Sequence, residues 1–117
     1  MPNTFNARIV EPATTVVEIS GRLHIGNSLS YLETFIKSLV AGGSRKLVVD
    51  LAGLDFIDSA AIGMLIACSG EMDQAGGAFR IAGSRDSVAK TFEVVHMSRI
   101  VPLDADVETA LRNLPSG

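Results

Sequence analysis

The sequence contains no tryptophan, a single tyrosine, a single cysteine and only two histidines. Without tryptophan and with few aromatics, any core must be mostly aliphatic. Cys68, standing alone, excludes an internal disulfide and a cysteine-rich zinc site. His24 and His96 lie far apart along the chain. No cluster of basic residues occurs: Arg45-Lys46 is the closest pair, and the net charge is −3. That balance argues against non-specific nucleic-acid binding, which needs a basic patch. No apolar run approaches the ~18–20 residues of a membrane span, and "MPNTFNARIV" lacks the basic-then-apolar pattern of a secretion signal. These features lead us to expect a cytoplasmic protein without a membrane span.

What is present is an ordinary globular composition, 47% hydrophobic and 20% charged, in 117 residues. This suits one domain over residues 1–117. "FNARIV" (5–10) and "TTVVEIS" (14–20) are rich in β-branched residues and flank Glu11-Pro12-Ala13, so they predict a hairpin. Gly21 closes the second strand. Asn27 or Ser28 offers a cap for a helix over 28–41, with Leu29, Leu32, Phe35, Ile36, Leu39 and Val40 at helical spacing and Gly42-Gly43 as its stop. "RKLVVDL" (45–51) reads as a buried strand, and "AGLDFID" as a connection. A second helix runs from Ser59 to about Ala75, with Ile62, Leu65, Ile66, Ser69 and Met72 on one face. "AFRIAG" (78–83) is the next strand. Ser84 is placed to cap a third helix carrying Val88, Phe92 and Val95. "RIVPL" (99–103) suits an edge strand because of Pro102. Asp104 or Asp106 then caps a last helix with Val107, Ala110, Leu111 and Leu114 as its stripe. The order β-β-α-β-α-β-α-β-α predicts an α/β domain with a mixed sheet, an N-terminal hairpin and parallel βα crossovers.

Ser59 stands at the most informative point of this pattern. It follows a parallel strand and opens a crossover helix, the edge of the sheet where α/β proteins place their sites. Serine is a preferred helix cap, and capping is the plain reading. A phosphoryl group on Ser59 is the functional one. It would meet free backbone N–H groups and the helix dipole, worth roughly 0.3–1 kcal/mol. Asp55, Asp58 and Asp50 would oppose it, at about 1 kcal/mol per close like charge. Ala60, Ala61 and Gly63 make the first turn small, and Gly63 costs ~1 kcal/mol against alanine. Close packing within the fold or a closely approaching partner accounts for that.

"LVVDLAGLDFIDSAAIGMLI" (47–66) resembles the signature of the STAS domain, as in bacterial anti-sigma factor antagonists. Gly21-Arg22-Leu23 matches the family's G-x-L element, and the segment from Ala75 to Leu111 is similar to its closing half, so the resemblance covers nearly the whole chain. It implies that Ser59 is phosphorylated by a partner serine kinase that is also the anti-sigma factor. It further implies that the unphosphorylated form binds that kinase and frees a sigma factor, that a phosphatase resets the switch, and that the protein is no enzyme and needs no cofactor. Asp58, Ser59, Ala60, Ala61, Gly63, Leu23 and His24 are the residues expected at the partner surface. The sequence departs from the family at three points. Ala60-Ala61 stands where Ser-Gly is common, His24 where Asp is common, and His96-Met97-Ser98 where the turn before the last strand usually has glycine.

Other readings compete. Asp50, Asp55 and Asp58 suggest a magnesium site for phosphotransfer, but all three lie in one segment rather than on separate strand ends. Serine hydrolase chemistry would pair Ser59 with His24 or His96, yet the G-x-S-x-G pattern is absent and no third member is indicated. "AGGSR" (41–45) ends a helix and precedes a strand, the reverse of a phosphate loop. Cys68, Met64 and Met72 suit helix packing. A STAS module of another use, a stressosome-like scaffold or a subunit of a lipid-transport complex, is the alternative to the sigma pathway.

Overall fold

A computed structural model describes residues 4–11 and 13–115. Ten segments follow in order: β1 (Thr4–Glu11), β2 (Thr14–Leu23), α1 (Asn27–Ala41), β3 (Lys46–Ile57), α2 (Ser59–Gln74), β4 (Ala78–Ala82), α3 (Asp86–Val94), a 3₁₀ turn (Met97–Arg99), β5 (Leu103–Asp104) and α4 (Val107–Asn113). The strands form one five-stranded sheet in the order β1-β2-β3-β4-β5. β1 and β2 are the expected antiparallel hairpin, and every later pairing is parallel. The expected turn residue Pro12 lies outside the described residues.

Alternation along the strands divides the apolar residues between two faces. Val17, Ile19, Leu47, Val49, Phe79 and Ile81 form one core with Leu32 and Ile36 of α1, Leu65 and Met72 of α2, and Val88 and Phe92 of α3. Val16, Val48 and Ala82 point the other way, onto Ala110 of α4 and its neighbours Val107, Leu111 and Leu114. Three helices thus cover one face and one short helix part of the other. The rest of that second face, over β1 and β2, carries polar side chains such as Asn6 and Glu18, which are hydrogen-bonded to each other.

Two strands run past their expected ends. β2 continues through Gly21 to Leu23, and β3 through "AGLDFID" to Ile57. Both extensions pair with each other, with register shifts between Glu18 and Ser20 and between Gly21 and Arg22. The glycines that read as breakers belong to this bulged stretch. Gly21 has φ 89°, and a Cβ on Gly53 would come within 2.8 Å of the Ser20 Cβ. The expected strand at 99–103 shrinks to Leu103–Asp104 at the sheet edge. Met97 and Val101 are both fully buried four residues apart, which is a helical spacing, and the 3₁₀ turn places them.

The starts of α1 and α3 differ from expectation as well, whereas α4 is capped by one of the two expected aspartates. Gly26, at φ 147°, precedes α1 in place of a capping Asn27 or Ser28. Arg85, not Ser84, precedes α3 and supplies no side-chain cap. Asp106 caps α4 by accepting from the Thr109 N–H at 2.8 Å. Asp104 pairs with Arg80 instead, at 2.6 Å, and tethers β5 to β4.

Candidate functional site

The parallel ends of β2 and β3, held in register by Leu23 opposite Ile57, bring the loop after β2 beside the first turn of α2. Asp58 joins them. Its backbone is extended (φ −106°, ψ 178°), as a cap residue requires. One carboxylate oxygen, Oδ1, accepts from the Ala61 N–H at 2.9 Å; the other, Oδ2, accepts from the Ile25 N–H at 2.9 Å. The Asp58 N–H donates to the Leu23 carbonyl at 3.2 Å. The Ile25 N–H, followed by the Ala61 N–H, holds the Asp58 carboxyl below the ordinary aspartate range.

Asp58 is therefore the cap, and the capping role open to Ser59 falls away. Ser59 is the first helical residue. Its side chain is exposed, and its hydroxyl has no hydrogen-bond partner among the described residues. The helix start is also less open to a phosphate than the sequence implied. Asp58 already takes the Ala61 N–H with its side chain and the Ile62 N–H with its carbonyl.

Around Ser59, Gly63 is exposed, and a Cβ built on it meets nothing within 4 Å. Its absent side chain answers no crowding within the fold and leaves a low surface one turn from the serine. Ala60 is half-buried. His24 is exposed, with Nδ1 3.0 Å from the Ile25 carbonyl. Leu23 and Ala61, expected on the same surface, are fully buried; their side chains support the rim from beneath and present nothing to a partner. Ile25 was missed. It is 74% exposed, and its N–H donates to Asp58, the residue before Ser59, so an uncovered apolar side chain stands on this loop. The available signal was a β-branched residue inside a polar loop between His24 and Gly26.

The other two aspartates have separate structural partners. Asp55 pairs with Arg85 at 3.3 Å and accepts from Ser87 through its carbonyl. Asp50 accepts from the Ala52 N–H at 3.0 Å. Among the described residues no three acidic, histidine or cysteine side chains converge as a metal site, and no helix is long and apolar enough to cross a membrane.

The STAS domain family model matches residues 4–110, so this chain belongs to the STAS domain family. Solved structures agree with the fold. An anti-sigma factor antagonist from Mycobacterium paratuberculosis superposes with a TM-score of 0.83 at 22% identity, covering 97% of this chain and 94% of that one. An anti-sigma-factor antagonist (STAS) domain protein from Planctomyces limnophilus gives 0.77 at 18% identity, over 92% of this chain and 96% of the other. The Bacillus cell fate determinant SpoIIAA in its phosphorylated form gives 0.73 at 19% identity, over 93% and 97%.

Proposed function

We propose that this STAS domain is an anti-sigma factor antagonist whose binding state is set by phosphorylation of Ser59. Unphosphorylated, it docks on an anti-sigma factor that is also a serine kinase and so releases a sigma factor. The phosphoryl group ends that docking, and a protein phosphatase restores it. The chain acts as a binding partner rather than a catalyst, in the cytoplasm where kinase and sigma factor meet. The observation that carries this reading is the Ser59 hydroxyl. It is exposed, unbonded among the described residues and relieved of capping by Asp58, next to half-buried Ala60 and exposed Gly63, with the exposed Ile25 on the loop that Asp58 holds. The kinship with proteins named as antagonists, one of them solved in a phosphorylated form, supports it.

Incubation with the cognate kinase and ATP, followed by mass spectrometry, tests the reading. One phosphate is expected, on Ser59, and none on the Ser59→Ala variant. Ser69 is buried and the Ser87 hydroxyl donates to the Asp55 carbonyl, so neither is an equal competitor. A phosphate mapped to Ser28, Ser69 or Ser87 with Ser59 unmodified would overturn the assignment.

A further inference from the structure

β1 is an edge strand, and its outer backbone groups have no strand beside them among the described residues. Natural edges are protected by proline, by charge, by bulges or by cover. The regular stretch of β1, Thr4–Ile9, contains no proline or glycine, and the register irregularity comes only after Ile9. On the helix-covered side, Ile9 is 78% exposed and Phe5 is half-buried, stacked on Tyr31 at 5.9 Å between ring centroids. Tyr31, itself 63% exposed, stacks in turn on Phe35. On the opposite side, Arg8 makes no ion pair among the described residues, and Glu18 is bonded only to the neutral Asn6. The edge therefore combines open backbone, an exposed isoleucine beside a half-buried phenylalanine, and one arginine without an ion pair among the described residues.

From this self-complementary pattern we propose that β1 pairs antiparallel with β1 of a second copy, Ala7 opposite Ala7, joining the two sheets. A two-fold axis perpendicular to the sheet keeps each face on its own side, so residues opposite one another must share a face. Centring on Ala7 sets Phe5 against Ile9 of the second copy and covers both, with Tyr31 extending the contact. It sets Arg8 against Asn6 of the second copy, with that copy's Glu18 one strand further on the same face. Strands lie about 4.8 Å apart, so the two long side chains span that gap above Asn6. The competing registers are worse. Centring on Arg8 places two cations face to face, and centring on Asn6 sets Phe5 against Ala7 of the second copy rather than against Ile9.

Sedimentation velocity on the full chain, up to roughly 1 mM, tests this. A single strand edge buries less than a standard interface, so a dimer dissociating near about 100 μM is expected. Ile9→Lys, exposed in the monomer, should weaken it by at least ~10-fold with unchanged melting. Arg8→Glu should weaken it too, and adding Glu18→Arg should restore it, a rescue that mere loss of structure would not give. A short bifunctional thiol crosslinker should join Ala7→Cys chains and leave Asn6→Cys chains largely single, Cys68 being buried. A chain monomeric at the highest concentration overturns the proposal. So does a dimer indifferent to Ile9→Lys, crosslinking favoured at Asn6→Cys, or a monomer in which Ile9→Lys abolishes kinase binding, since β1 would then serve a different protein.

Discussion

Asp58 and Ser59 divide what a single serine was expected to do. Asp58 holds the start of α2 and the loop at Ile25, so Asp58→Ala should cost about 0.5–2 kcal/mol, the usual range for a lost cap. The carboxyl of Asp58 is held low by its two backbone donors. Its contribution is thus fully present above the unfolded aspartate value of about 3.9 and lost as pH falls through the lower folded value. Thermal melts between neutral pH and pH ~2 should show the wild-type advantage over Asp58→Ala shrinking only at the acid end. An advantage unchanged at low pH would show that the carboxylate charge is not what matters. Ser59→Asp should melt within a few degrees of wild type. A first-turn carboxylate gains from the helix dipole, and the charge of adjacent Asp58 offsets that gain. Binding to the kinase should fall at least ~10-fold, because an unpaired charge at an interface is costly. Titration calorimetry on the same preparation separates the two effects. A stable variant that still binds tightly would put Ser59 outside the contact surface.

Two glycines of similar appearance in the sequence do opposite things in their elements. Gly63 lies on the open face of α2, so Gly63→Leu should leave melting within about 1 kcal/mol of wild type, or raise it slightly through better helix propensity. The close packing within the fold considered for this position is absent, since a Cβ there meets nothing within 4 Å, and the leucine should instead weaken kinase binding. Gly53 lies where β2 and β3 meet at the bulge, with the Ser20 Cβ only 2.8 Å from where its own Cβ would be. Gly53→Ala should cost about 1–3 kcal/mol through overpacking. Equal melting of the two variants would show that the bulge yields freely. The contrast explains what could be read in advance. The helices and the central β3 were legible because their apolar spacing is long and regular. The ends of β2 and β3 were not, because Gly21 and Gly53 signal a turn and a bulge equally well. The short β5 was misread because "IVPL" (100–103) is apolar throughout, and only the packing of Met97 and Val101 reveals a helical turn. At the site, the position of Ser59 was legible. The transfer of capping to Asp58 was not, since aspartate and serine cap equally well and only one of two neighbours can do so. The burial of Leu23 and Ala61 depended on the paired strand ends, which no local pattern encodes.

Across the whole molecule, Cys68 reports on integrity. It is buried against Met64, with 3.6 Å between the sulfurs, and its thiol is pushed up to about 11, chiefly by burial and then by Glu71. A thiol reagent at neutral pH should therefore modify the native chain only as fast as it opens, and denaturant should release one equivalent at once. Rapid labelling of the native protein would show that α2 breathes independently of the sheet. The order of the sheet has a bearing on synthesis. Because strand order in space repeats strand order in sequence, each strand leaving the ribosome docks on the one made just before it, and no strand waits for a later one to be inserted between its neighbours. The loop after β2 and the start of α2 come from the middle of this series. A nascent chain complete through α2 already contains both halves of the Ser59 surface, before β4, β5 and α4 have been made.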